Sequence, residues 1–138
     1  IAPGEAELWV TLRAMTDADM QALLDGAEAL AGSEAAAAGL RLDLSHHDIF
    51  AACDNNREAT AELRRALDAE GIGHDRGVLP MRGSEDFGLF GSLSRSAMFF
   101  LGAGETHPMC HNPDFDFPDA LIEPGVRVFH RVLRNLLG

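Results

Sequence analysis

The segment Met109-Cys110-His111-Asn112-Pro113-Asp114-Phe115-Asp116-Phe117 holds an imidazole beside turn-forming residues and two carboxylates. Pro113 disfavours helical geometry at Asn112. Phe115 and Phe117 alternate with Asp114 and Asp116, which predicts a loop leading into an extended run with rings inward and carboxylates outward. A neutral imidazole binds zinc at about 2.1 Å, and its second ring nitrogen needs an acceptor, which Asp114 or Asp116 can supply. A loop histidine with no ligand role fits the same residues.

Three further groupings can do chemistry. In Gly83-Ser84-Glu85-Asp86-Phe87, adjacent carboxylates at a strand-to-helix turn can orient a substrate or a metal ligand. Ser84 followed by two acids is equally a helix N-terminus, where carboxylates meet the positive end of the dipole. Gly102-Ala103-Gly104 lets the backbone approach a ligand, so that its N–H groups meet a carboxylate, or forms an ordinary tight turn. His46 and His47 fall on opposite faces of an alternating segment, so at most one of them aims at a given site. Cys53 reads as a small buried hydrophobe, and two cysteines, Cys53 and Cys110, cannot form a disulfide framework.

These residues sit in a chain of 138 residues, 46% hydrophobic and 24% charged, the size of one ordinary globular domain. All 11 basic residues are arginine, and the formal charge of −11 repels nucleic-acid phosphates and anionic lipid surfaces, so neither partner is expected. The opening Ile1-Ala2-Pro3-Gly4 carries no basic leader or long apolar run. Neither a signal peptide nor a membrane span is expected in this sequence, and a cytoplasmic location is.

The elements that must position the chemistry follow from periodicity. Leu8, Val10 and Leu12 alternate as a strand with one buried face, ending at the capping-box-like Thr16-Asp17-Ala18-Asp19. Met20, Leu23, Leu24, Ala27, Leu30 and Ala31 then form one helical stripe, which frays over the Ala-rich residues Glu34 to Gly39. Leu40, Leu42 and Leu44 predict a second strand, giving a β-α-β unit. Asp54-Asn55-Asn56 is cap chemistry for a helix bearing Ala59, Leu63, Ala66 and Leu67. A loop from Gly71 to Gly77 leads to a short strand near Val78 to Met81. The continuous apolar run Ala97 to Leu101 predicts a strand covered on both faces, and a final helix from about Asp119 carries Val128, Phe129, Val132, Leu133 and Leu136.

In this order, Gly83-Ser84-Glu85-Asp86-Phe87, Ala97 through Gly104, and His111-Asn112-Pro113-Asp114-Phe115-Asp116-Phe117 resemble the C-terminal part of the aminoacylase/hippurate hydrolase (amidohydrolase) family of zinc-dependent exopeptidases. Pro3 to Arg13 resembles the first strand of that family's lid, or dimerisation, domain, and His47 to Cys53 its exit. The resemblance implies an α/β fold: residues 1–53 as part of a β-α-β lid within an α+β dimerisation domain, and 54–138 as the C-terminal part of a zinc-exopeptidase-like catalytic domain. It implies His111 as a metal ligand, a supporting role for Ser84, Glu85 and Asp86, and contact of His47 or His46 and of Gly102 and Gly104 with substrate. It further implies a homodimer formed through the lid.

The sequence departs from the family in lacking its Cys-Gly-His-Asp and Glu-Glu motifs, which carry further ligands and the general-base glutamate. No residue of this chain is therefore expected to act as that base. Cys110 stands where an apolar residue is usual, as a packing swap or an added soft ligand. The expected activity is hydrolysis of the amide bond of N-acyl or N-aroyl amino acids or small peptides. It would run at two zinc or manganese ions about 3.5–4 Å apart, with this chain supplying only the C-terminal part. The rival expectation is a noncatalytic fragment or dimerisation module that associates through the edge strand Glu7 to Arg13 or Leu40 to His46.

Overall fold

Thr16 ends an irregular stretch and begins a helix, because its hydroxyl accepts the Asp19 N–H at 3.1 Å and donates to Asp19 Oδ2 at 2.8 Å. In the computed structural model, which describes residues 3–138, this helix, α1, spans Asp17–Ala37. Ile1 and Ala2, part of the opening read for a leader, lie outside the described residues. The Ala-rich end of α1 does not fray. Gly39 takes φ +65°, and the N–H groups of Leu40 and Gly39 return to the carbonyls of Ala35 and Ala36 at 2.9 and 3.1 Å, the Schellman closure of a helix.

Three more helical segments follow: α2 at Arg57–Ala69, a single turn α3 at Gly88–Gly91, and α4 at Ile122–Leu137, entered through a 3₁₀ turn at Asp119–Leu121. Asn56 caps α2, its side-chain oxygen accepting from Glu58 and Ala59 N–H at 3.0 and 3.1 Å. Gly71, at φ +65°, closes the other end, with Ile72 N–H reaching Leu67 O at 2.9 Å and the Ile72 side chain packed on the core.

The described residues contain no strand and no sheet, which overturns the α/β expectation and with it the β-α-β segment. Alternation of apolar residues defines a strand only when a neighbour accepts its backbone hydrogen bonds, and residues 8–12, 40–44, 78–81 and 97–101 pair with none. Nor does alternation separate two faces in the first of them: Leu8 is 87% exposed and its neighbour Trp9 84%. Phe100, in the run expected to be covered on both faces, is 62% exposed.

The chain divides into two compact units, one comprising residues up to Ala52 with Arg82–Asp86, the other Cys53–Met81 with Phe87–Gly138. In the first, Asp17 accepts the Ala52 N–H at 2.7 Å, and Arg13 donates to the Arg82 carbonyl at 2.8 Å. None of the α1 residues is fully buried.

The second unit contains the core. Ala66, Leu67 and Val128 are buried at the α2–α4 contact, surrounded by Leu63, Ile72, Phe99 and Val132. The stripe expected along α4 splits: Val128 faces α2, Val132 packs beside it, Phe129 sets its partly exposed ring against Phe99 at 5.8 Å, and Leu133 and Leu136 face outward. Two carboxylates clamp the helices. Glu70 takes Arg131 Nε at 2.7 Å and Arg127 Nε at 2.9 Å, while Glu62 takes Asn135 Nδ2 at 2.7 Å and Arg65 Nε at 3.0 Å. Both acids are held below the ordinary glutamate range, Glu62 chiefly by Arg65 and then Asn135, Glu70 by Arg131 and then Arg127.

Candidate functional site

The loop bearing His111 is made of consecutive turns. Gly104, at φ +105°, bends the backbone in a way that favours glycine, and the chain then turns again where Asn112 N–H meets Met109 O at 3.1 Å and Phe115 N–H meets Asn112 O at 3.0 Å. Within the Met109–Asn112 turn His111 adopts φ +71°, a left-handed conformation uncommon for a residue with a Cβ. Its ring is exposed and, among the described residues, makes no hydrogen bond or ion pair, with Asp114 and Asp116 included. The expected orientation of the following run is not observed, since Phe115 and Phe117 are exposed together with the two aspartates.

His107, which the sequence reading passed over, is the better anchored imidazole of this loop. Its Nδ1 lies 2.8 Å from Pro108 O, and its ring stands edge-on to Phe115, with centroids 5.4 Å apart at 76°. The signal for it was present in the sequence as a second histidine four residues before His111.

The other expected site residues are distributed as follows. Gly102, Gly104 and His111 belong to the second unit; His46, His47, Ser84, Glu85 and Asp86 belong to the first. His46 Nε2 is engaged with Glu28 on α1 at 2.8 Å, whereas His47 Nε2 meets only the nearby Ser45 hydroxyl at 3.2 Å. Asp48, which follows them, has φ +54°, so the backbone turns sharply beyond the pair. Ser84 does not cap a helix: α3 begins at Gly88 with no side-chain cap, and the Ser84 hydroxyl accepts from Arg13 at 3.2 Å. Glu85 is half-buried and Asp86 exposed. Cys53 and Cys110 are both exposed, so the buried placement expected of Cys53 does not hold.

Among the described residues, no three or more His, Cys, Asp or Glu side chains gather closely enough to hold a metal ion. Among the described residues, His111 fits a metal as a single donor, an accessible ring whose nitrogens are uncommitted, and the donor set around it does not close a site. In the same unit an apolar hollow of about 230 Å³ is lined by Phe87, Ala97, Met98, Phe99, Leu101, Gly125 and Phe129. His111 does not line it. No helix of the described residues is long and apolar enough to cross a membrane.

Comparison with family models matches residues 6–135 to Peptidase family M20/M25/M40, and the chain belongs to that family. Members are peptidases and related hydrolases that generally use divalent metal ions. Comparison with curated proteins and with solved structures found no match.

Proposed function

We propose that the chain is the C-terminal part of a metal-dependent amidohydrolase that cleaves N-acyl or N-aroyl amino acids or small peptides, with His111 as one ligand of a two-zinc or two-manganese centre. The observation that carries this reading is the family match over residues 6–135. His111 supports it by standing exposed at the apex of a turn, its ring committed to no other group among the described residues. The metal centre would polarise the scissile carbonyl and activate water. The remaining ligands and the general-base glutamate are assigned to chain beyond these 138 residues, because the Cys-Gly-His-Asp and Glu-Glu motifs do not occur here. Gly102 and Gly104 would offer backbone N–H groups to a substrate carboxylate. His47, less committed than His46, would be the histidine that contacts substrate, and Ser84, Glu85 and Asp86 would have a supporting role.

The test is hydrolysis by the longer protein, loaded with zinc or manganese, across a panel of N-acyl and N-aroyl amino acids and dipeptides. The expected result is turnover that His111→Ala reduces by orders of magnitude. No turnover across the panel, or full activity in His111→Ala, overturns it. A second reading, a noncatalytic module that associates with a second copy of itself, is favoured by the exposure of Leu8, Trp9, Leu40 and Leu44 in the first unit. Sedimentation of the 138-residue chain over a concentration series tests that reading, which fails if the chain stays monomeric.

A further inference from the structure

We propose that His107 is the positioning residue of the His111 loop, a strut that holds the apex in its left-handed turn. The proposal rests on the reading of His111 as the working imidazole of that loop. Two contacts carry it. A carbonyl oxygen only accepts, so the 2.8 Å contact to Pro108 O fixes the His107 proton on Nδ1 and makes Nε2 the acceptor of the neutral ring. The same ring meets Phe115 edge-on at 5.4 Å and 76°, the geometry in which a positive ring edge faces a negative ring face.

His107 and Phe115 lie four residues before and four residues after His111. Their contact therefore closes the loop at its base, with the left-handed residue midway between them. Such a conformation persists only where the surrounding structure holds it. The turn bonds at Met109 and Asn112 are local, and the His107 N–H reaches Gly104 O at only 3.4 Å. The pinned ring is the cross-link that spans the loop. Loop order is what a ligand imidazole needs, because a ring that must be immobilised on binding loses affinity to that ordering.

Nuclear magnetic resonance on the ¹⁵N-labelled 138-residue chain at neutral pH tests this. The His107 ring should show the Nδ1–H tautomer; the Nε2–H tautomer overturns the proposal. Backbone order parameters at Cys110, His111 and Asn112 should lie near about 0.85 and fall below about 0.6 in His107→Ala, while the amides of α4 keep their shifts. His107→Phe, which keeps a ring to set against Phe115 and gives up only the Nδ1–H, should recover at least half of the loss. Phe115→Leu should lower order at the same three residues with His107 intact. Order retained in His107→Ala, or not recovered in His107→Phe, overturns the proposal. Zinc added to the same samples separates the two readings. If the His111 ring responds, the midpoint in His107→Ala should rise roughly tenfold. If the ring does not respond in the wild type while the order loss is seen, the metal reading falls and the strut stands.

Discussion

The side chain of Asn55 closes both hydrogen bonds of the Met98 backbone, donating from Nδ2 to Met98 O at 2.7 Å and accepting the Met98 N–H on Oδ1 at 2.8 Å. An amide side chain thus does for the run Ala97 to Leu101 what a neighbouring strand does in a sheet, and Asn56 N–H to Ser96 O at 2.8 Å extends the attachment. Asn55→Ala should lower stability by about 1–2 kcal/mol, the range for two net hydrogen bonds near solvent. Urea unfolding gives the value, and faster amide exchange at Met98 locates it. Asn55→Asp should be no better, since it keeps the acceptor and turns the donor into a charge facing a carbonyl.

Val128 is fully buried where α4 meets α2. Val128→Ala should cost about 1–3 kcal/mol through lost burial and the space left behind. With so few residues in this core, the same substitution should also reduce the sharpness of the transition followed by circular dichroism.

Gly71 ends α2 at φ +65°, and a Cβ there would meet nothing within 4 Å. Gly71→Ala should still cost about 1 kcal/mol, and the cause would be backbone conformation rather than a clash. Thermal melts of Gly71→Ala and Gly71→Asn separate the two, with Asn the milder change because it tolerates the left-handed region better.

The Glu62 and Glu70 clamps should make the α2–α4 pair acid-sensitive. Both acids have folded values lowered by their arginine and asparagine partners, so their contribution is complete above the unfolded glutamate value of about 4.3. It is lost as pH falls below that value through the lower folded one. Melting temperatures between pH 7 and pH 3 should decline mainly at the acid end, and Glu70→Gln should flatten the decline while lowering the neutral value. A pH profile unchanged in Glu70→Gln contradicts this.

His111 is exposed and, among the described residues, bonded to no other group, so His111→Ala should leave folding stability within about 0.5 kcal/mol of the wild type. Unfolding curves and hydrolysis measured on the same variant separate a loss of chemistry from a loss of fold.

Local chemistry was legible in the sequence wherever a few adjacent residues decide the outcome. Thr16 and Asn56 start helices because their side chains satisfy N–H groups two or three residues on, and Gly71 ends one because it enters the left-handed region at low cost, whereas the closure of α1 at Gly39 replaces the fraying expected there. The ordered motifs around Ser84, Gly102 and His111 pointed to a metal-dependent hydrolase family, and membership of the peptidase family is shown by the match over residues 6–135. Tertiary structure alone decided the rest. Alternation at Leu8 to Leu12 and Leu40 to Leu44 reads the same whether or not a neighbour accepts the hydrogen bonds, so the sheet it implied could not be checked from within the segment. The division of the α4 stripe between Val128, facing α2, and the exposed Phe129 and Leu133 depends on where α2 lies. The bracing of His111 by His107 and Phe115 depends likewise on a ring contact across eight residues, which no periodicity encodes.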